Sequence, residues 1–401
     1  MKLEQPQKRL GPRGFLACAL GINMLVVMAI DMYTPALPGM TRELGLSASV
    51  LNLTMFAFFL ISALGTFIAA PLSDRLGRHP VLVGACVFFT LGSAGCALAS
   101  GIVGLVVFRM CQAMGFGAVA ALETALIKDS FSGRDLQISM TLLQSLIIVG
   151  PIVAPFLGSF ILTVGGWRHI FWVLTGFGVV ELALSLMISE TLPADKRLAG
   201  GVLETLGQTT GTFKVLLGRR RFSSLAVLLG MAAIPYAAFL AVVSYILLDD
   251  FGMTYLGYSV IYAVVASMSV VAPFVYMGLS RKFSVNVILK ISIGLSLASA
   301  ALMLAAGRWT PLWFCLAFLP FVLAEGVVRP MSFVVLLDQP VERVGAASSL
   351  ANLVYSIMSS LGTVLATLEW PSYTLGLGAL LLACSLAMAV SYLVFSRTVR
   401  E

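Results

Sequence analysis

Residues 51–100 read LNLTMFAFFLISALGTFIAAPLSDRLGRHPVLVGACVFFTLGSAGCALAS. Two long apolar runs flank a short charged turn, PLSDRLGRHP, at 71–80. A bilayer core about 30 Å thick is crossed by about 20 apolar residues wound as a helix. In hydrocarbon every backbone N–H and C=O must be bonded within the chain, so each run is read as a helix. The alternating pattern of a membrane barrel strand is absent. The stretch therefore predicts helix, polar turn, helix.

The same pattern continues in both directions. Of 401 residues, 59% are hydrophobic and only 11% charged, which excludes a set of soluble domains of that length. Twelve spans are expected, at 15–38, 48–70, 80–99, 102–127, 137–163, 167–188, 223–248, 255–279, 285–306, 310–336, 342–367 and 372–395. With the N-terminus in the cytoplasm, twenty loop Lys and Arg fall inside and three (Arg42, Arg168, Arg308) fall outside. That asymmetry places both termini on the cytoplasmic side. The five tryptophans cluster near the outer ends, as an interfacial belt does.

The net charge of +7 then belongs to a membrane face, and nucleic acid is excluded as a partner. The six cysteines all fall within spans and none forms a CxxC pair, so neither disulfides nor a metal site is expected. His79 and His169 lie on opposite faces and cannot share a metal. No small-residue cleavage site precedes the first span, and no removable leader is expected. No cofactor is expected, and a monomer in the lipid bilayer is.

The longest hydrophilic stretch, Glu190–Phe222, divides the chain into six spans plus six. The expected domains are 1–189, a cytoplasmic linker 190–222, and 223–401. KDSFSGRD (128–135) and LDQPVERV (337–344) occupy corresponding loops, aligning Asp129 with Asp338 and Arg134 with Arg343. LSDR (72–75) and LSRK (279–282) do the same. Such repeats are the mark of transporters built from two related halves.

Four features carry chemistry. In the 71–80 turn, Asp74 is placed to accept from helix-terminal N–H groups, Arg75 and Arg78 to pair with acids, and Gly77 to allow a tight turn. In GPIVAPFLG (150–158), Pro151 and Pro155 share a helix face flanked by Gly150 and Gly158, which kinks the fifth span and lets a neighbour approach closely. In AIDMYTPALP (29–38), Asp31 lies ~9 Å from the outer end of the first span. Pro35 cannot donate to its carbonyl, which predicts a free carbonyl and a bend. Arg109, in VVFRMCQAMGFGA, lies ~10 Å into the fourth span. The matching depths predict an Asp31–Arg109 pair, since an intramembrane charge is a functional candidate with a partner to be named. Burial favours the neutral acid and a guanidinium favours the carboxylate, so protons and substrate can compete for Asp31.

Three further acids lie in spans. Glu123 lies fourteen residues past Arg109, within about 40° of the same helix face. It has no evident partner. Glu325 has Arg329 four residues later, the order that favours an internal ion pair. Glu181 lies toward the inner end of the sixth span, where snorkelling or a structural contact is expected. A substrate pocket should be apolar with a few placed polar groups. Its candidates are Asn23, Met24, Met28, Tyr33, Met55, Phe56, Phe59 and Gln144, with Tyr236, Phe239 and Tyr245. Methionine and aromatic residues also serve ordinary packing in such bundles.

The turn PLSDRLGRHP resembles the signature between the second and third spans of the major facilitator superfamily, with His79 at the second basic position. That resemblance implies two pseudo-symmetric six-helix bundles, alternating access, and a clamp at 71–80 that releases between states. The Gly-Pro motif of the fifth span resembles that of the antiporters in this superfamily. DMYTPALP, PLSDRLGR and the fourth-span arginine together look like the drug/proton antiporters of the bicyclomycin and chloramphenicol resistance type. In such exporters an acid at the position of Asp31 takes the coupling proton and an arginine at the position of Arg109 supports it. A second first-span acid of some relatives is Asn23 here. The expected function is proton-driven export of small apolar or amphipathic compounds across a bacterial inner membrane, powered by the proton gradient. A proton-coupled transporter of one metabolite, such as a sugar, amino acid or siderophore, stays open. An enzyme is not expected, since no clustered catalytic set is present.

Overall fold

The computed structural model describes residues 3, 4, 7, 9–197, 202–336 and 341–398; at 144–148, 196, 202–206, 208, 209, 341–345, 397 and 398 it describes the backbone alone. Asp338 and the side chains of Gln144 and Arg343 lie outside the described residues.

The regular structure is helical among the described residues. The order is α1 (Pro12–Asp31), a 3-10 turn (Thr34–Ala36), α2 (Leu37–Leu44), α3 (Ala48–Leu76), α4 (Arg78–Leu98), α5 (Ile102–Ser130), α6 (Gly133–Val164) and α7 (Trp167–Met187). A 3-10 turn (Ala194–Lys196) and α8 (Val202–Leu217) lead to α9 (Arg220–Ser244), which ends in a π turn (Tyr245–Asp250). Then come α10 (Tyr255–Ser280), α11 (Val285–Ala306), α12 (Pro311–Leu336), α13 (Val341–Ala366) and α14 (Tyr373–Thr398). Among the described residues, eleven stretches are long and apolar enough to cross a membrane, Pro12–Leu44 counting as one. The twelfth expected span falls on α6, a helix of 32 residues. The chain is an all-α, multi-pass membrane protein.

The first span departs from expectation at its outer end. α1 stops at Asp31 instead of bending through Pro35. The Asp31 carbonyl is not left free, because the Thr34 hydroxyl donates to it at 3.0 Å. A side-chain donor thus replaces the N–H that proline lacks, and the chain passes through a tight turn before α2 begins. α6 continues through Pro151 and Pro155.

The chain divides into two compact units, Met1–Ala36 with Ala57–Gly207, and Leu37–Phe56 with Gln208–Glu401. The division along the chain falls inside the 190–222 stretch, but 37–56 groups with the second unit. Arg42 donates to Asp249 at 2.7 Å, and the Ser49 hydroxyl donates to the carbonyl of Thr367. In the first unit α4 packs on α5 and α7, and α1 on α6 and α7. In the second, α11 packs on α12 and α14, and α9 on α13 and α14. The two schemes repeat one arrangement over five helices of each unit, α1 and α4–α7 in the first and α9 and α11–α14 in the second.

α8 was not expected within the linker. Its Phe213 and Leu216 are buried, and an apolar spacing of three, from Phe213 to Leu216, is what a helix face needs. Gly207, Gly211 and four threonines mask that signal in the sequence.

The glycines of 150–158 act as expected, as a close-approach face. A Cβ on Gly158 would collide with the backbone carbonyl of Met32, and one on Gly150 would press on Val27 at 2.8 Å. α6 therefore lies against α1 where the Asp31 turn begins. Gly158→Ala is expected to destabilise the protein by about 1–3 kcal/mol through overpacking. Thermal unfolding in detergent measures this; an unchanged midpoint would show that the two backbones are not in that contact.

Candidate functional site

Arg109 of α5 is fully buried. Its guanidinium lies 4.3 Å from the Phe58 ring, 4.4 Å from Tyr33 and 5.8 Å from Phe171, so α3, α7 and the turn after α1 build an aromatic box around it. Cation–π contacts of this kind are worth about 0.5–2 kcal/mol when desolvated. Nη1 donates to Gln112 Oε1 at 2.6 Å and more weakly to the Ala29 carbonyl at 3.5 Å. Gln112 passes the link on to Ser93 at 2.7 Å, and Ser93 to the Phe89 carbonyl at 2.7 Å. Nε and Nη2 have no hydrogen-bond partner among the described residues.

This corrects the expected pair. Among the described residues the contacts of Arg109 do not include the Asp31 carboxylate. Depth alone brought the two residues to one level, but the side chain points to the Ala29 turn, one step down α1. Asp31 is itself buried, at the end of α1.

Glu123, expected to lack a partner, has one. Asn23 of α1 donates from Nδ2 to Glu123 Oε2. Both are buried, at 4% and 1% exposure. Glu181 of α7 does not snorkel. It is fully buried, with both carboxylate oxygens unpartnered among the described residues.

The 71–80 turn forms a compact charge cluster at the junction of α3 and α4. Gly77 adopts a φ of 103°, open to glycine and strained for other residues. Arg78 pairs with Asp74 at 2.5 Å and Asp129 at 2.9 Å, and donates to the Ser73 hydroxyl at 2.6 Å. Arg75 is exposed. The acceptor at the α4 N-terminus is not Asp74, as expected, but Glu190. Its carboxylate takes the N–H groups of Arg78 at 2.8 Å and His79 at 3.4 Å, and Arg197 stands 3.6 Å away. Asp74 lies in the last turn of α3, behind the N–H groups it was expected to meet. A Cβ on Gly77 would collide with Glu190, so the glycine also makes room for the carboxylate.

In the second unit Glu325 accepts from the Tyr355 hydroxyl at 2.9 Å, and Arg329 lies over the Tyr355 ring at 4.5 Å. Glu325 and Arg329 lie within electrostatic reach of each other, and both also engage the Tyr355 side chain. Tyr236 lies within electrostatic reach of Arg329 and Tyr355. Phe239 is buried against Phe318, ring centroids 4.3 Å apart. Of the substrate candidates, Tyr33 is thus part of the Arg109 box, Asn23 is bonded to Glu123, and Phe239 and Met55 are buried. Met24, Phe59 and Tyr236 keep partial exposure.

A profile of the Major Facilitator Superfamily matches residues 19–363. The chain belongs to the major facilitator superfamily. It is 28% identical over 356 residues to an uncharacterised MFS-type transporter, YdgK of Bacillus subtilis (strain 168), covering 86% of this chain and 87% of that one. It is 27% identical over 381 residues to the multidrug resistance protein MdtL of Klebsiella pneumoniae (strain 342), covering 95% of each. Among solved structures it is similar to a D-xylose–proton symporter, with TM-score 0.72, 16% identity and coverage of 94% of this chain and 97% of that one. Members of this superfamily are transporters, and the chain is a transporter rather than an enzyme.

For this superfamily member, sequence reasoning missed Glu190, Gln112, Phe58 and Phe171. Gln112 was within reach, lying three residues from Arg109 on one helix face. Glu190 carried only the faint signal of an acid directly after a span. Glu190→Ala removes a carboxylate from a helix N-terminus, and a loss of about 1–2 kcal/mol is expected. A thermal midpoint equal to that of the wild type would show that Glu190 does not cap α4.

Proposed function

We propose that this transporter is a proton-coupled antiporter that exports small apolar or amphipathic compounds by alternating access. One observation carries the reading. In the first unit, a buried cation, Arg109, is held by rings and a neutral amide, and a buried acid, Glu123, is held by the neutral Asn23. Neither is spent in an ion pair among the described residues. Charges held this way are free to answer a proton or a cargo molecule, whereas a fixed buried pair is costly to break.

Asp31 is the group proposed to take the coupling proton, with Arg109 adjusting it through the end of α1. Protons entering from outside would neutralise it, and cargo arriving from the cytoplasm would drive release. The proton gradient is the energy source, with no cofactor. The 71–80 cluster would set the conformational cycle, with Gly150, Pro151, Pro155 and Gly158 as the sliding face. Asn23, Met24, Tyr33, Met55, Phe59, Gln144, Tyr236 and Phe239 are the proposed substrate contacts. A relative named for multidrug resistance supports a broad cargo range. The Lys and Arg asymmetry supports cytoplasmic termini and a bacterial inner membrane. The protein is proposed to act as a monomer.

Expression in cells stripped of other exporters tests the cargo range. Tolerance to several unrelated compounds is expected; tolerance to none or to one would favour the single-metabolite reading. Asp31→Asn is expected to lose at least tenfold in proton-driven export from inverted vesicles. Export equal to the wild type would remove Asp31 from the mechanism.

A further inference from the structure

The first unit buries an excess of hydrogen-bond acceptors. Asn23 Oδ1, Glu123 Oε1 and both oxygens of Glu181 have no donor among the described residues. They come from α1, α5 and α7. The amide of Asn23 is the donor among these groups, and it is already directed at Glu123 Oε2. Glu181 lies within electrostatic reach of Glu123, and Cys86 of α4 lies within reach of both. Ile22, Leu82, Val119 and Leu122 of α1, α4 and α5 belong to one buried apolar cluster.

No base compensates for these acids. Among the described residues, no Lys, Arg or His donates a hydrogen bond to either Glu181 oxygen. The titratable groups facing it are Cys86 from α4 and Glu123 from α5. α6 also packs on α7, and its titratable residues, Arg134 and Asp135, lie in its first turn.

A static packing role does not account for Glu181. A buried carboxyl without hydrogen bonds is worse for stability than an apolar side chain of similar shape. An ionised one with no counter-charge is worse still. We propose that Glu181 is a second proton-carrying carboxyl of the transport cycle, loaded in this conformation and sharing its site with Glu123. This rests on the proton-coupled reading above. When the site hydrates, the Glu181 O–H bond breaks, the proton passes to water and the electron pair stays on the carboxylate. Reprotonation from the other side reverses the step.

Infrared spectroscopy of the purified full chain at neutral pH detects protonated buried carboxyls directly. Glu181→Gln, isosteric with the neutral acid, is expected to remove one component of that band. In proteoliposomes it is expected to lower the protons moved per cargo molecule by one. Glu181→Asp keeps an acid at the position and is expected to retain both signals, which separates chemistry from misfolding. A band unchanged in Glu181→Gln overturns the proposal. So does loss of the band with an unchanged proton count, or a band abolished by sodium at constant pH, which would make the occupant a metal ion. Wild-type vesicles that move cargo without protons would overturn the coupled reading itself, whatever the infrared result.

Discussion

A charge inside a membrane bundle has no water to solvate it, so its neighbours decide its state. In this protein the first unit meets that constraint in an uncommon way. Arg109 is surrounded by aromatic faces and anchored by one neutral amide. Glu123 is anchored by another. Each group is oriented without an ion-pair partner among the described residues. The close packing around them supports this: the Gly158 contact brings α6 onto the end of α1, and Tyr33 and Phe58 close over the guanidinium.

The charge cluster at the α3–α4 junction obeys the opposite logic. There Arg78 has two carboxylate partners, and Glu190 covers the helix N-terminus at its side. This region lies at the ends of helices, where ion pairs cost less desolvation than in the interior.

The helices and their order were legible because a span is written in composition over about 20 residues, and no local accident erases it. The repeat was legible in the 71–80 and 279–282 turns, and the packing of α4 on α5 and α7 reappears in α11 on α12 and α14. That ionisable groups lie buried at Asp31, Arg109 and Glu123 was legible too, since each stands in an apolar run. Who touches whom was not. Depth along a helix follows from counting, but side-chain direction depends on rotation about the axis and on neighbours far away in sequence. Arg109 accordingly found Gln112 and three rings instead of Asp31. Glu123 found Asn23, one hundred residues away. The Thr34 hydroxyl covering the Asp31 carbonyl was a local feature that proline arithmetic overlooked.

The central claim is that cargo and protons compete for ionisable groups buried in the first unit. The most direct measurement is proton release on cargo binding to the purified protein in weakly buffered detergent, followed with a pH-indicator dye. The account predicts a release that rises with cargo concentration and saturates together with binding, for several unrelated compounds. Saturable binding with no change in proton count would contradict it.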